Sequence, residues 1–318
     1  MGDTAFQGKN LSVAADIWED MLKGDTTVFF GLAGAMVPAG MRELVVHLIK
    51  ERRIDCLVST GANLFHDIHE TLGWSHWQGC HKADDNDLRE AGLDRMYDVY
   101  AMDEEFNTSD KYIYDFSYTL ESRPYTTREF FSLMGKDLSE RKCKNKKEGI
   151  VSAAYKAGVP IYCPAVADSS IGIALALRDG RENFIFDIIG DIKETAELAS
   201  KAKSSGIIFV GGGTPKNFIQ QTEVTADMMC KRAPGHKYAI QITADSPHWG
   251  GLSGCTFEEA QSWGKIAKSS KRITVNCDTT IALPIIVSAV NERMHKVKRN
   301  LPKMDLKNSH KVKKRIWD

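Results

Sequence analysis

The sequence predicts an α/β fold built on a doubly wound, mostly parallel sheet, and three observations carry that expectation. Short apolar runs alternate with amphipathic segments of helical period. The runs are continuous instead of alternating polar with apolar, which is the pattern of strands buried on both faces. Several end in glycine, serine, threonine or aspartate, as strands do where a parallel sheet opens its ligand crevice.

Taken in order, residues 11–22 place Val13, Ile17, Trp18, Met21 and Leu22 at helical spacing and stop at Gly24, before an apolar strand at 27–31. The alternation repeats with a helix over 40–52, carrying Leu44, Val45, Leu48 and Ile49 on one face, and a strand over 55–60. Residues 74–150 are less regular and read as a helical insertion. Further strands are expected at 161–163, 207–210, 238–242 and 273–275, with helices at 191–204 and from Phe257 towards Lys265. No internal repeat or clean linker interrupts the chain, so residues 1–318 read as one domain with a core at 25–295 and a basic tail at 296–318.

Composition narrows the function classes. The chain has 318 residues, 42% hydrophobic and 26% charged, with zero formal net charge and no 18-residue apolar run of the kind a membrane helix requires. Residues 293–318 hold ten of the 42 basic residues and two of the 42 acidic ones, so the body is acidic. An acidic body suits small cationic substrates better than nucleic acid, and the tail reads as a solvated charge run. So does the basic stretch Arg141–Lys147. Seven scattered cysteines, none in a CxxC pair, point to reduced thiols and a cytoplasmic setting.

The residue of greatest chemical interest is Lys265, in Ser262-Trp263-Gly264-Lys265-Ile266 and six residues after Glu259. A lysine nucleophile works only uncharged, whereas an ordinary lysine has a pKa near ~10.4, so an apolar wall such as the Trp263 indole would help. An extended Trp263-Gly264-Lys265 would point indole and amine to one side. Strand ends add Thr60 and Gly61, Asp168 and Ser170, Gly211, Gly212 and Gly213, and Asp278. The three glycines lack the G-x-G-x-x-G spacing and by themselves read as a tight connection. His66, His69, His76, Cys80 and His81 match no metal-ligand spacing, so no metal is assigned. His66 follows the Thr60 strand end closely and is a candidate polar group or base there.

Over residues 27–295 the sequence resembles the deoxyhypusine synthase family. The resemblance lies in the Lys265 pentapeptide with Glu259, in Val210-Gly211-Gly212-Gly213 with Lys216, in Pro164-Ala165 with Asp168 and Ser170, and in Asp278. It implies a Rossmann-like fold, a homotetramer with active sites at subunit interfaces, NAD as cofactor and aminobutyl transfer through a lysine imine. Lys265 matches the imine-forming lysine; Trp263 and Glu259 match residues of the polyamine channel. Thr60, Gly61, Asp168, Ser170, Gly211, Gly212, Gly213 and Asp278 fall in the NAD-holding motifs.

The substrate positions are His66, Ile173, Asn217, Gly250 and Leu252, and all but Gly250 depart from the family pattern. Asn217 replaces a histidine, Ile173 and Leu252 replace acidic residues, and His66 replaces a glutamate. Each charged hydrogen bond lost is worth roughly 1.5–3 kcal/mol, so spermidine recognition should weaken. The expected activity is therefore aminoalkyl transfer between small amines, of homospermidine type or with putrescine or agmatine as acceptor. The alternatives are deoxyhypusine synthase proper, acting on a lysine of a translation initiation factor, and a non-catalytic NAD-binding regulatory paralogue.

Overall fold

The computed structural model describes residues 1–141, 147–179, 184–230, 234–297 and 299–302. In chain order the elements are α1 (Phe6–Lys23), β1 (Thr27–Leu32), α2 (Arg42–Lys50), β2 (Cys56–Ser59), α3 (Gly61–Thr71), β3 (Trp77–Gln78), α4 (Asp85–Glu90), β4 (Leu93–Met96) and β5 (Val99–Met102). Then come α5 (Asp103–Tyr118), β6 (Pro124–Tyr125), α6 (Thr127–Glu140), α7 (Ile150–Ala157), β7 (Ile161–Tyr162), α8 (Ser170–Ala176), β8 (Ile185–Phe186) and α9 (Ile188–Lys201). The chain continues through β9 (Ser205–Val210), α10 (Gly213–Cys230), β10 (His236–Thr243), α11 (Phe257–Ser262), β11 (Ile266–Asn276) and α12 (Thr279–Met294).

The chain folds as two compact units. The first comprises Met1–Ala33, Arg52–Val58 and the chain from Ile188 onward; the second comprises Gly34–Glu51 and Ser59–Asp187. In the first, the strands run in the order β11-β10-β9-β1-β2, and β1/β9, β9/β10 and β10/β11 pair in parallel. β1 and β9 are buried at all six positions, as their unbroken apolar runs require. α1 packs on α12, β10 and β11, while α10 packs on β1, β9 and α9. The predicted strand at 273–275 is the last part of an 11-residue strand that starts directly after Lys265. Its Lys268–Arg272 stretch carries no apolar run and so gave no strand signal.

The basic tail begins differently from a solvated charge run. Arg299 has a side chain only 4% exposed and donates to the buried Asp55 at 2.5 Å and to the Thr26 carbonyl at 2.9 Å. Residues 303–318, and 142–146 of the second basic stretch, lie outside the described residues.

The second unit is organised by a buried ion pair. Asp67 on α3 accepts from Arg42 Nε at 2.8 Å and from the backbone N–H groups of Ile150 and Val151 at 2.7 and 2.9 Å, so one carboxylate pins α2 and the start of α7. Residues 74–150 are not helical throughout: besides α4, α5 and α6 they form an antiparallel sheet in the order β3-β5-β4. These strands have two to four residues and mixed polarity, too short for a period-2 signal.

Candidate active site

Lys265 is positioned by how α11 ends. Gly264 N–H bonds to the Gln261 carbonyl at 3.0 Å and Lys265 N–H to the Ala260 carbonyl at 3.1 Å, the paired bonds of a Schellman cap. Gly264 takes φ 72°, the left-handed conformation the cap needs and glycine adopts freely. Trp263-Gly264-Lys265 is therefore a helix terminus and not an extended tripeptide. The pairing expected from extension arises another way: Lys265 Nζ lies 5.4 Å from the centre of the Trp263 ring. That indole is 66% exposed, so in this chain it is an open wall and not a dry one. Lys265 Nζ also donates to Asn217 Oδ1 at 3.2 Å, joining the end of α11 to the second turn of α10.

The glycine turn serves the protein's own packing first. A Cβ on Gly212 would lie 2.3 Å from Ser253 Cα, and Gly213 N–H donates to Ser253 Oγ at 3.1 Å. Gly212 is thus glycine because the 246–254 loop crosses it. The same loop is held by a residue that sequence reasoning left out of the site. Lys216 is buried, and its Nζ donates to Gln241 Oε1 at 2.9 Å and to the Cys255 carbonyl at 2.5 Å, with the Ser253 carbonyl at 3.4 Å. Burial lowers its pKa to about 8, partly countered by Cys255 and Glu259. Cys255 stands among Glu259, Lys216 and Lys265, and burial raises its thiol pKa. Nothing in the sequence marked Cys255 or Gln241; Lys216 was visible only as a neighbour of the glycines.

Glu259 is exposed on α11, whose N-cap Thr256 accepts from Glu259 N–H at 3.1 Å. Asp278 caps α12 through Oδ1, which accepts from Thr280 N–H at 2.8 Å. Gly250 takes φ 73° and Leu252 is 49% exposed, both in the loop that crosses Gly212.

In the second unit Thr60 caps α3 and donates to the Gly34 carbonyl at 3.0 Å, a carbonyl it shares with Asn63. Gly61 lies against Ser169, whose Oγ would be 2.3 Å from an added Cβ. The end of β2 and the start of α8 therefore meet, bringing Thr60 and Gly61 near Ser170. Asp168 is exposed one residue before Ser169. Ile173, on α8, is 60% exposed. His66 is buried on α3 and hydrogen-bonds His76, Nδ1 to Nε2, at 2.9 Å. Burial, the largest cause, and the neighbouring His76 and His69 lower its pKa to about 3.

Among the described residues no helix is long and apolar enough to cross a membrane. Comparisons with known proteins agree with the residue pattern. The deoxyhypusine synthase family profile matches residues 1–290. A Methanosarcina acetivorans protein named "Probable deoxyhypusine synthase 2" is 52% identical over 301 residues, covering 94% of this chain and 87% of its own. An Archaeoglobus fulgidus protein of the same name is 49% identical over 287 residues, covering 90% of this chain and 94% of its own. The crystal structure assigned as a deoxyhypusine synthase of Entamoeba histolytica superimposes with a TM-score of 0.63 at 17% identity, covering 94% of this chain and 92% of that one. That likeness shows the shared fold, and the sequence matches show the family: the chain belongs to the deoxyhypusine synthase family of aminobutyl transferases.

Proposed function

We propose that this chain is an NAD-dependent aminoalkyl transferase that carries the transferred group as an imine on Lys265. The observation that supports this best is the fixed lysine end, with Nζ 3.2 Å from Asn217 Oδ1 and 5.4 Å from the Trp263 ring. The residues at the strand ends fit a dinucleotide. Gly212 N–H and Thr214 N–H, at the start of α10, have no acceptor among the described residues and offer donors to an anion at the positive helix end. Asp278 commits Oδ1 to Thr280, leaving Oδ2 without a partner among the described residues, and Asp168 is exposed; either can accept from a ribose hydroxyl. In the first unit Gly211, Gly212, Gly213 and Asp278 would hold NAD; Thr60, Gly61, Asp168 and Ser170 of the second unit are assigned to NAD by their match to the family motifs alone. When bound, NAD supplies the hydride acceptor that makes an amine carbon electrophilic.

The chain's own residues do the rest. Lys265, as a free amine, attacks the electrophilic carbon; the original amine leaves and the alkyl group stays on Nζ as an imine. An acceptor amine then attacks the same carbon and releases Lys265. Return of the hydride removed at the start would reduce the new imine to the product amine, so the transfer needs no outside oxidant or reductant. The Asn217 amide orients Nζ but cannot take a proton. Glu259 and the exposed Trp263 face attract a cationic amine. The homotetramer with sites at subunit interfaces belongs to the same reading.

Ile173 and Leu252 set apolar side chains where spermidine-binding members have carboxylates. An ammonium without a partner is costly to bury, so a small and less highly charged amine pair suits these positions. The second reading, transfer to a protein lysine, is favoured by the names of the two archaeal relatives. The test compares spermidine plus initiation-factor protein with small amine pairs, in wild type and in Asn217→His/Ile173→Asp/Leu252→Asp. Small amines should be preferred by wild type and protein-directed transfer should rise in the triple variant. Equal use of the protein lysine by wild type supports the second reading.

A further inference from the structure

Lys265 lies between the end of α11 and an irregular start of β11. Its N–H bonds to the Ala260 carbonyl at 3.1 Å, and its own carbonyl accepts from the His236 N–H at 3.1 Å. Then the pairing slips. His236 lies opposite Ile266 and Tyr238 opposite Lys271, so β11 carries three more residues than β10 over that stretch, a bulge directly after the lysine. Bulges bend the strand that holds them and re-aim its side chains, and the extra residues are slack unless something takes them up.

Two contacts take up the slack. Gln261, in the last turn of α11, donates through Nε2 to the Ala267 carbonyl at 3.0 Å, with the Lys268 carbonyl at 3.5 Å. Its own carbonyl accepts the Gly264 N–H at 3.0 Å. One residue thus holds the chain both before and after Lys265. From β10, Gly235 lies against the first peptide of the bulge: a Cβ there would be 2.6 Å from Ala267 N and 2.7 Å from the Ile266 carbonyl carbon. The Gly235-His236 segment is fixed in turn by Glu223 on α10. Glu223 Oε2 accepts from the Gly235 N–H at 3.2 Å and Oε1 from Ser205 Oγ at 2.7 Å, and Ser205 Oγ lies 2.9 Å from His236 Nδ1. Glu223, Ser205 and His236 are all buried, and a buried polar network stiffens the segments it joins.

We propose, resting on the lysine-imine reading, that Gln261 is a positioning residue for Lys265: its side-chain amide clamps the bulge at Ala267 and so fixes the backbone from which the amine reaches Asn217. The lysine is then set from both ends, by the clamped backbone and by the bond from Nζ to Asn217 Oδ1 at 3.2 Å. Position matters because the amine must meet an electrophilic carbon in the right direction, and a displacement of about 1 Å can cost about a hundredfold in rate. Gln261 acts through Lys265. The buried Glu223, Ser205 and His236 supply the rigid side against which the clamp closes.

The test compares the full-length protein with Gln261→Met, which keeps the side chain's length and removes its donor. Hydrogen exchange read by peptide mass should quicken about fivefold at the amides of Gly264, Lys265 and His236 and keep the wild-type rate in β9. Borohydride trapping with NAD and spermidine, putrescine or agmatine, well below the melting temperature of both proteins, should label Lys265 about tenfold more slowly in a single turnover. In steady state kcat should fall by the same factor while KM stays within about twofold, because a misdirected nucleophile slows the chemical step and leaves substrate binding alone. Unchanged exchange overturns the clamp. Faster exchange with an unchanged trapping rate, or a KM that rises while kcat holds, overturns the positioning role and leaves the lysine reading standing. A wild-type protein that forms no adduct on Lys265 overturns the lysine reading and the positioning role together, and its unmodified peptide tells that result apart from the others.

Discussion

Lowering the pH from 7 to 5 should destabilise this protein more than its carboxylates alone would. Burial lowers the pKa of His66 and His69 to about 3, and lowers that of the fully enclosed His236 too. A histidine with a lowered folded-state pKa stays neutral in the fold but takes up a proton on unfolding. Below an unfolded value near ~6.5 the unfolded state binds more protons, so stability falls as pH drops from that point towards 3. At pH 5, ~1.5 units below the unfolded value, each of His66 and His69 costs about 2 kcal/mol. Asp110 works in the opposite direction, because burial raises its pKa to about 6 and the fold takes up its proton first. Its half-exposed position limits that offset to about 1 kcal/mol. The net loss is about 3 kcal/mol, a large part of a typical ~5–15 kcal/mol stability. Guanidinium unfolding at fixed protein concentration measures it. The midpoint should fall clearly between pH 7 and 5, and His69→Gln should recover about 2 kcal/mol of the pH-dependent part. A midpoint flat over this range, or a variant with the wild-type slope, would refute the argument that these imidazoles are buried neutral.

Two further outcomes concern the lysine end. Gly264→Ala places a side chain at φ 72° with open space around it, so its cost is conformational, about 1–2 kcal/mol, and should lower Tm by several degrees. An unchanged melt would contradict the Schellman cap. Lys216→Met leaves the Gln241 Oε1 and Cys255 carbonyl acceptors unpaired and should cost about 3 kcal/mol, read as a lower denaturant midpoint. No loss would mean that the loop at 253–255 is held by other bonds.

The first unit was the more legible part, because strands such as Thr27–Leu32 and Ser205–Val210 are buried along their whole length and must be apolar throughout. The site was legible where chemistry sits on short motifs: Trp263, Gly264 and Lys265 are neighbours in sequence, although the reason for the glycine was hidden. What escaped depends on distant partners. Lys216 is an ordinary lysine until residues 241, 253 and 255 surround it, and Asp67 looks like a polar neighbour of His66 until Arg42 and the start of α7 converge on it. His66 and His76 were visible as loosely spaced histidines with no metal pattern. Their bond to each other and to Glu70 arises from the return of the chain after α3, which no local period reports.

The central claim is that Lys265 carries the transferred alkyl group, and borohydride trapping tests it most directly. Protein incubated with NAD and a panel of amines including spermidine, putrescine and agmatine is reduced, digested and read by peptide mass. An alkylamine adduct should appear on the peptide containing Lys265, and it should require NAD and vanish in Lys265→Ala. An adduct that persists in Lys265→Ala, or that forms on another lysine such as Lys216, would contradict the account.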